Sequence, residues 1–424
     1  MTAVFEPKSY SQASSSPDWQ QAMQEELSAL KKTNTWRIMP LPPGKILIDC
    51  KWVYKVKFKA DASVERLKAL AKLTTMKFLL AIAAVKASDH SFFFKKDSSM
   101  FFGVVVYVDD MMVATDRPDM IEAFKIFLSR FFKFKDLGVP KYFLGLEIAR
   151  NKGGILVSQR KYAMDLVRDA GLLGCKPSSV PMDPVNHLKQ DTGHPMKDPS
   201  KYRRQIGRLL YLCITRPDIT FVVHKLSQYV SEPCDEHWEA TEKILRYLKG
   251  TPGHGLFYLS DSDFVLNIFS DADWATCPDT RRSMTCYCLF LGSSLVSWKA
   301  KKQHTISRSS AEAEYRAMAH ATCEVVWARA LLGDFGVRVE RAVPLFCDNQ
   351  AAVHISSNPV FHERTKHIEI DCHTVRERYL EGVIKPMHIR NDLQLADIFT
   401  KPLGVYAFGN ILGKMNFHGL YCPS

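Results

Sequence analysis

Four acidic side chains late in the 424-residue chain have the types and placement that phosphodiester chemistry requires. In-line displacement at phosphorus is served by two divalent ions roughly 4 Å apart, one on the attacking and one on the leaving oxygen, held by carboxylates converging from different elements. Asp271 ends an apolar strand in Phe269-Ser270-Asp271-Ala272-Asp273-Trp274, and Asp348 ends another in Leu345-Phe346-Cys347-Asp348-Asn349. Glu314 lies in the first turns of a helix opening at Ser309-Ser310, and Asp397 sits in Gln394-Leu395-Ala396-Asp397-Ile398-Phe399, read as the last helix, Leu393 to Thr400. An acid that closes a strand lies at the carboxyl end of its sheet, where open α/β folds hold ligands. Each position alone is an ordinary turn former or solvated helix residue, and Glu312 fits as well as Glu314. The recurrence of acids in the right order carries the reading. Mg²⁺ (or Mn²⁺) is the expected ion, because Mg²⁺ accepts a few carboxylates together with waters and phosphate oxygens.

A second acidic pair, Asp109 and Asp110, follows the apolar run Phe102 to Tyr107 at a strand-to-turn junction. Two further groups are set aside. Asp191-Thr192-Gly193 matches an aspartic-protease triplet but is flanked by polar residues rather than apolar strands. His362, His367 and His373 have no cysteine pair at zinc-ligand spacing, and Arg364 and Lys366 beside them suit a nucleic-acid-facing loop. Arg281 and Arg282, with Lys299, Lys301 and Lys302, form two basic runs near the proposed acidic edge that would hold phosphates in a salt-dependent way.

These residues must be positioned by a mixture of strands and helices. Trp19 to Leu30 has helical apolar spacing, Lys51 to Lys57 alternates as a strand, and Met76 to Val85 reads as an apolar helix broken abruptly at Ala87-Ser88-Asp89-His90-Ser91. Met120 to Phe131 is an expected helix and Lys141 to Ala149 an expected strand. Tyr202 to Lys249 is helical by periodicity, with an interruption at Thr215-Arg216-Pro217-Asp218. After the glycine-bearing stretch Gly250 to Gly255, strands at Phe264 to Phe269 and Cys286 to Trp298, a long helix from Ala311 to Phe335, and alternating strands and helices to Thr400 predict a mixed sheet with helices on its faces.

Composition bounds the partners. Lys plus Arg is 57 against 45 Asp plus Glu, a net charge of +12 and a pI near 9.1, which favours polyanions. The eleven cysteines are scattered without a CxxC pair, which points to a reducing compartment, cytoplasm or nucleus. The longest apolar run, Met100 to Val108, is too short to span a bilayer. The polar, Ser-rich start lacks a signal-peptide core, so neither a membrane nor a secreted protein is expected.

Taken with Thr280-Arg281-Arg282-Ser283, Ser297-Trp298-Lys299, Cys347-Asp348-Asn349-Gln350 and Thr365-Lys366-His367-Ile368, the acidic motifs resemble the ribonuclease H domain of Ty1/copia-type retrotransposon polyproteins. The resemblance covers the chain after Gly253. It implies that Asp271, Glu314, Asp348 and Asp397 are the metal-binding acids of an enzyme acting on RNA·DNA hybrids. Upstream, Tyr107-Val108-Asp109-Asp110, Asp136-Leu137-Gly138, Tyr142-Phe143-Leu144-Gly145 and Thr215-Arg216-Pro217-Asp218 resemble the same polyprotein's reverse transcriptase, an RNA-directed DNA polymerase whose palm acids would be Asp109 and Asp110. Trp19, Lys51-Trp52-Val53-Tyr54-Lys55 and Glu65-Arg66-Leu67-Lys68-Ala69 resemble its earlier segments.

Two departures follow. The family's earlier palm strand, ending in a further metal-binding Asp, is missing, since Asp89 follows a polar break and Asp97 is expected in a polar turn. Cys286 stands where the family has Gly. The expected organisation is therefore a polar segment 1–16, a truncated reverse transcriptase 17–250 with an internal deletion near 72–91, and a ribonuclease H-like domain 251–424. In fold class this is α+β and α/β, an incomplete palm-type region followed by a mixed five-stranded sheet flanked by helices. The expected activity is metal-dependent cleavage of RNA in hybrids, with RNA, DNA and their hybrid as partners and polymerisation lost. The alternative is a non-catalytic retroelement remnant or nucleic-acid-binding module.

Overall fold

The computed structural model describes residues 10–32, 52–58, 64–71, 92–97, 100–107, 110–132, 134–185, 188–190, 193–357 and 369–419. The chain divides into two compact units, Met1–Val139 and Pro140–Ser424. The expected helix at Met76 to Val85, the pair His362 and His367, and Asp191-Thr192 lie outside the described residues.

In the first unit the helix Pro17–Lys32 buries Trp19, Ala22 and Met23, a stripe at helical spacing. Strands β1 (Trp52–Phe58) and β2 (Val64–Ala71) form an antiparallel pair with Trp52 opposite Ala71. A separate antiparallel sheet contains β3 (Phe92–Asp97), β4 (Met100–Tyr107) and β5 (Asp110–Thr115) in that order. The helix Pro118–Ser129 follows it. Asp97, expected in a turn, is instead the last residue of β3 and pairs with Met100, while Asp110 opens β5 and pairs with Tyr107.

The second unit holds two five-stranded sheets. The first contains β6 (Tyr142–Phe143), β7 (Leu146–Asn151), β8 (Gly154–Ser158) and β9 (His254–Leu259), meandering in antiparallel steps. The strand expected across Lys141 to Ala149 is thus two strands. It folds back at Leu144 and Gly145, whose φ angles of 52° and 79° make a tight turn. β8 and β9 approach closely where both carry glycine. A Cβ on Gly154 would lie 2.1 Å from the Tyr258 carbonyl oxygen, and one on Gly255 2.3 Å from that of Val157.

The second sheet contains β10 (Leu266–Asp273), β11 (Met284–Leu291), β12 (Ser294–Lys302), β13 (Val343–Cys347) and β14 (Ile384–His388). The order is β12-β11-β10-β13-β14, with the first three antiparallel and β13 and β14 parallel to β10. This is the mixed sheet the sequence predicts. A last strand, β15 (Phe417–Gly419), pairs with β9 of the first sheet.

The central strands β10 and β11 are covered on both faces, which meet different partners. Leu266, Ile268, Tyr287 and Leu289 pack with Tyr315, Met318 and Val325 of the long helix Ser310–Asp334. On the opposite face Cys286, Cys288, Phe290 and Leu295 share one core with Leu166, Leu209, Ile219 and Leu245, all from residues before 250. The strand pattern explains this: β11 is apolar on both parities, as a strand covered on two sides must be.

The interruption at Thr215-Arg216-Pro217-Asp218 is a buried polar node. Arg216 Nη2 lies 2.6 Å from Asp218 Oδ2, with side-chain exposures of 1% and 0%. Tyr247 donates to the same carboxylate oxygen at 2.6 Å, and Arg216 donates to the Thr251 carbonyl at 2.8 Å. The guanidinium also lies over the rings of Tyr247 and Phe417. Such a pair is tolerated because its hydrogen bonds are satisfied. Among the described residues no helix is long and apolar enough to cross a membrane.

Candidate active site

Three carboxylates meet at the end of β10. Ligand oxygens of Asp271, Asp348 and Asp397 lie within 4.8 Å of one another, and those of Glu314 and Asp348, with the Cys347 sulfur, form an adjoining group of the same span. Asp271 is on β10, Asp348 directly follows β13, and Glu314 is in the second turn of the long helix.

Each placement has a local cause. The parallel pairing of β10 with β13 sets Phe269 beside Phe346, which brings the ends of both strands to one edge. Glu314 accepts a hydrogen bond from the Ala272 backbone N–H at 3.1 Å, where Ala272, Ala313 and Ala317 let helix and strand approach. Glu312, equal to Glu314 by sequence, is occupied elsewhere. It accepts from the Arg308 backbone N–H and from Arg316, at 2.7 and 2.8 Å, reinforcing the cap that Ser309 makes on this helix.

Asp397 does not lie in an α-helix. It sits in a 3₁₀ turn, Leu395–Phe399, fastened to the sheet at two points. Gln394 Nε2 donates to the Ser270 carbonyl at 3.0 Å, and its Oε1 accepts from Ala396 N–H at 3.2 Å. The Cys286 thiol donates to the Ala396 carbonyl at 3.2 Å. Cys286 is fully buried and stands opposite Asp271 in the β10–β11 register. It therefore lies beside Asp271, covered by the Leu395–Phe399 turn, and exposes nothing to a nucleic acid.

Asp271, expected to end its strand, does not. β10 runs on through Asp273, which pairs with Met284, so by strand alternation Asp273 lies two residues beyond Asp271 on the same face. The sequence reading also passed over Thr400 and Lys401. The Thr400 hydroxyl donates to Asp271 Oδ2, and Lys401 Nζ lies 2.8 Å from Asp397 Oδ1. The available signal was an Asp-to-Lys pair four residues apart.

Electrostatically the site is overcharged. Burial, then the Asp271 charge, pushes the Asp397 carboxyl up to about 7, although Lys401 pulls it down. Burial and Asp271 likewise raise Asp348 and lift Glu314 well above the ordinary range. Asp273 rises to about 6, mainly through burial. Lys401 loses by burial and gains more from Asp397, Asp271 and Asp348, so its ammonium is held charged. Converging carboxylates that resist ionisation together call for a cation. The donors are hard oxygens, as Mg²⁺ and Mn²⁺ prefer. Cys347 adds no soft ligand, because burial keeps its thiol protonated.

The other predicted residues are distributed differently. Asp110 is exposed, Asp109 lies outside the described residues, and among the described residues Asp110 joins no group of three metal-ligating side chains. Asp97 lies at the opposite end of β4 from Asp110, seven residue steps or roughly 23 Å along the strand. Lys299 and Lys301 are exposed on one face of β12, whereas Lys302 points to the other, where it donates to Gln228 at 2.9 Å. Arg281 and Arg282 are exposed in the loop before β11, and Lys366 lies outside the described residues.

Residues 71–184 match the family of reverse transcriptases (RNA-dependent DNA polymerases). The Pol polyprotein of the Arabidopsis thaliana transposon RE1 is 31% identical over 509 aligned positions, which take in 98% of this chain and 35% of that protein. The chain thus spans about a third of that relative's length. Since 509 exceeds 424 by 85, at least 85 aligned positions have no residue in this chain. A transposon Ty5-1 protein of Saccharomyces cerevisiae is 31% identical over 56% of this chain and 78% of its own length. Among solved structures, the N-terminal RNase H domain of a Mycobacterium tuberculosis protein aligns over 36% of this chain and 98% of that one. The identity is 11% and the TM-score 0.25, too loose a superposition to bear on function.

Proposed function

Because the chain belongs to the copia-type retrotransposon Pol polyproteins, we propose that residues 251–424 are a ribonuclease H that cleaves the RNA strand of RNA·DNA hybrids, and that residues 17–250 derive from a reverse transcriptase that no longer polymerises. The observation that carries this reading is the convergence of Asp271, Asp348 and Asp397, with Glu314 adjoining. Asp271, Glu314, Asp348 and Asp397 would hold Mg²⁺ or Mn²⁺, which when bound supply charge stabilisation for the attacking and leaving oxygens. The rest is done by the protein. Thr400 orients the Asp271 carboxylate, the Ala272 N–H fixes one Glu314 oxygen and leaves the other toward Asp348, and Lys401 offsets part of the burial and repulsion that hold the proton on Asp397. The basic side chains around this edge would hold the backbone of the hybrid.

The first unit supports the reading that polymerisation is lost. Two metal ions need ligands from more than one strand end, and Asp110 is exposed at the start of β5 with Asp97 at the opposite end of β4. We assign the relatives' additional positions largely to a deletion near residues 72–91.

The deciding experiment is cleavage of an RNA·DNA hybrid by the full chain with Mg²⁺, with duplex DNA as negative control and primer extension on RNA measured in parallel. Hybrid-specific, chelator-sensitive cleavage without extension is expected. A folded protein that binds hybrid and cuts nothing would make it a nucleic-acid-binding remnant.

A further inference from the structure

Next to the acids lies a cavity of about 720 Å³ that the nuclease reading leaves unused. Its walls come from both sides of residue 250. Lys189 and Lys225 contribute from upstream, Lys225 on the short helix Thr220–Leu226. The β10–β11 loop contributes Arg281 and Arg282, and the end of β12 contributes Lys302. Against these five cations the lining offers one carboxylate, Asp273. Asp273 lies two strand residues past Asp271, roughly 7 Å along β10, and Pro402, also in the lining, follows Lys401. The cavity therefore opens directly beside the acidic edge.

The cations differ in how they are engaged. Lys302 is engaged by Gln228 and by the Cys277 sulfur at 2.8 Å. Lys225 is half-buried, and burial lowers its pKa. Its Nζ is 5.8 Å from the Phe221 ring centroid. No carboxylate comes within 4.0 Å of Lys225, Arg281 or Arg282 among the described residues. Asp273 is the carboxylate that offsets the Lys225 charge, and it does so without contact, so a half-buried ammonium here is stabilised further when an anion arrives. The spread of cations around the cavity suits a phosphodiester, which offers oxygens to several donors at once.

We propose that this cavity is a phosphodiester subsite, built jointly by the upstream segment and the sheet, that seats the nucleic-acid backbone where it leaves the acids. The assignment rests on the nuclease reading and extends it to Lys189 and Lys225, which lie outside the ribonuclease-like portion. It also gives the retained upstream segment a part in substrate binding.

The test uses the full chain, an RNA·DNA hybrid and fluorescence anisotropy across a salt series without divalent metal. Lys225→Met keeps most of the apolar stem and removes the charge. It should weaken binding about tenfold and flatten the plot of log affinity against log salt by about one unit. Lys225→Arg should restore both. Arg281→Gln with Arg282→Gln should flatten the slope by about two. Thermal melts confirm that each variant is folded, and inorganic phosphate serves as a competitor. Unchanged affinity and slope in a folded Lys225→Met, or competition by inorganic phosphate that is identical in wild type and Lys225→Met, would overturn the subsite while leaving the nuclease reading intact. A wild type that binds no hybrid would instead overturn the nuclease reading itself.

Discussion

The two acidic motifs differ in what surrounds them. Tyr107-Val108-Asp109-Asp110 has its acids adjacent in sequence, and Asp110, paired with Tyr107 at the start of β5, is exposed. Asp271, Glu314, Asp348 and Asp397 are scattered over more than a hundred residues, yet they meet, because a parallel strand pair, a close alanine contact and a stapled 3₁₀ turn bring them to one edge. A metal site is made by convergence of rigid elements rather than by proximity along the chain. Among the described residues, the first unit brings no such convergence to Asp110.

The largest effect expected from this contrast is catalytic. Asp348→Asn keeps the shape and removes a charge, so hybrid cleavage should fall by on the order of a hundredfold or more while hybrid binding survives. Asp110→Asn, at the exposed start of β5, should leave cleavage unchanged and stability within about 0.5 kcal/mol. Cleavage kinetics and urea melts on both variants make the comparison, and an equal response of cleavage to the two would dissolve it.

Next comes the node that ties the upstream helices together. Arg216→Met leaves Asp218 buried without its partner, which should cost about 3–5 kcal/mol, read as a lower urea midpoint. A loss below about 1 kcal/mol would mean that Asp218 and Tyr247 relax into a neutral pair.

A smaller effect is the pH dependence of the metal-free protein. Asp397 and Asp273 keep their protons up to about 7 and about 6, from an ordinary value of 3.8. The folded state therefore binds more protons than the unfolded chain between about pH 4 and 7, and stability falls as pH rises through that window. Thermal melts should show wild type losing more than Asp397→Asn between about pH 5 and 8, and Mg²⁺ should restore the wild type at the upper end. A parallel pH profile for the two proteins would remove the electrostatic account of the cluster.

The smallest concerns Cys286. Replacing it by Gly, the family's residue, removes the thiol's contact with Ala396 and adds strand flexibility, a loss of about 1 kcal/mol without faster cleavage. A faster enzyme would show that the thiol obstructs the site after all.

Much of this was legible from residue patterns, for physical reasons that can be named. β10, β11 and β13 announce themselves as apolar runs, and Ser309 announces the long helix as a cap. Glu314 could not be separated from Glu312, because only the capping bonds of Glu312 distinguish them. The turn carrying Asp397 looks helical because Leu395, Ala396, Ile398 and Phe399 are all buried and apolar. Its geometry is imposed by Gln394 and Cys286 from elsewhere. The helix Val405–Lys414 was missed, since Gly409 and Gly413 lower its intrinsic preference. Lys225 gave no signal, because nothing local says that it will face a loop some fifty residues later.

The pairing of β9 with β8 on one side and β15 on the other has a consequence for how this gene can be cut and rejoined. A copying or recombination event with its junction at Gly250 would transmit every acid of the cluster together with a sheet face stripped of its cover. A junction near Pro140 would transmit a piece able to fold. Fragments 140–424 and 253–424 differ in this respect, and limited proteolysis across Thr251 and Pro252 should yield two polypeptides on a denaturing gel that still migrate as one particle in solution. Inheritance, for this chain, has a folding boundary more than a hundred residues upstream of the one its motifs suggest.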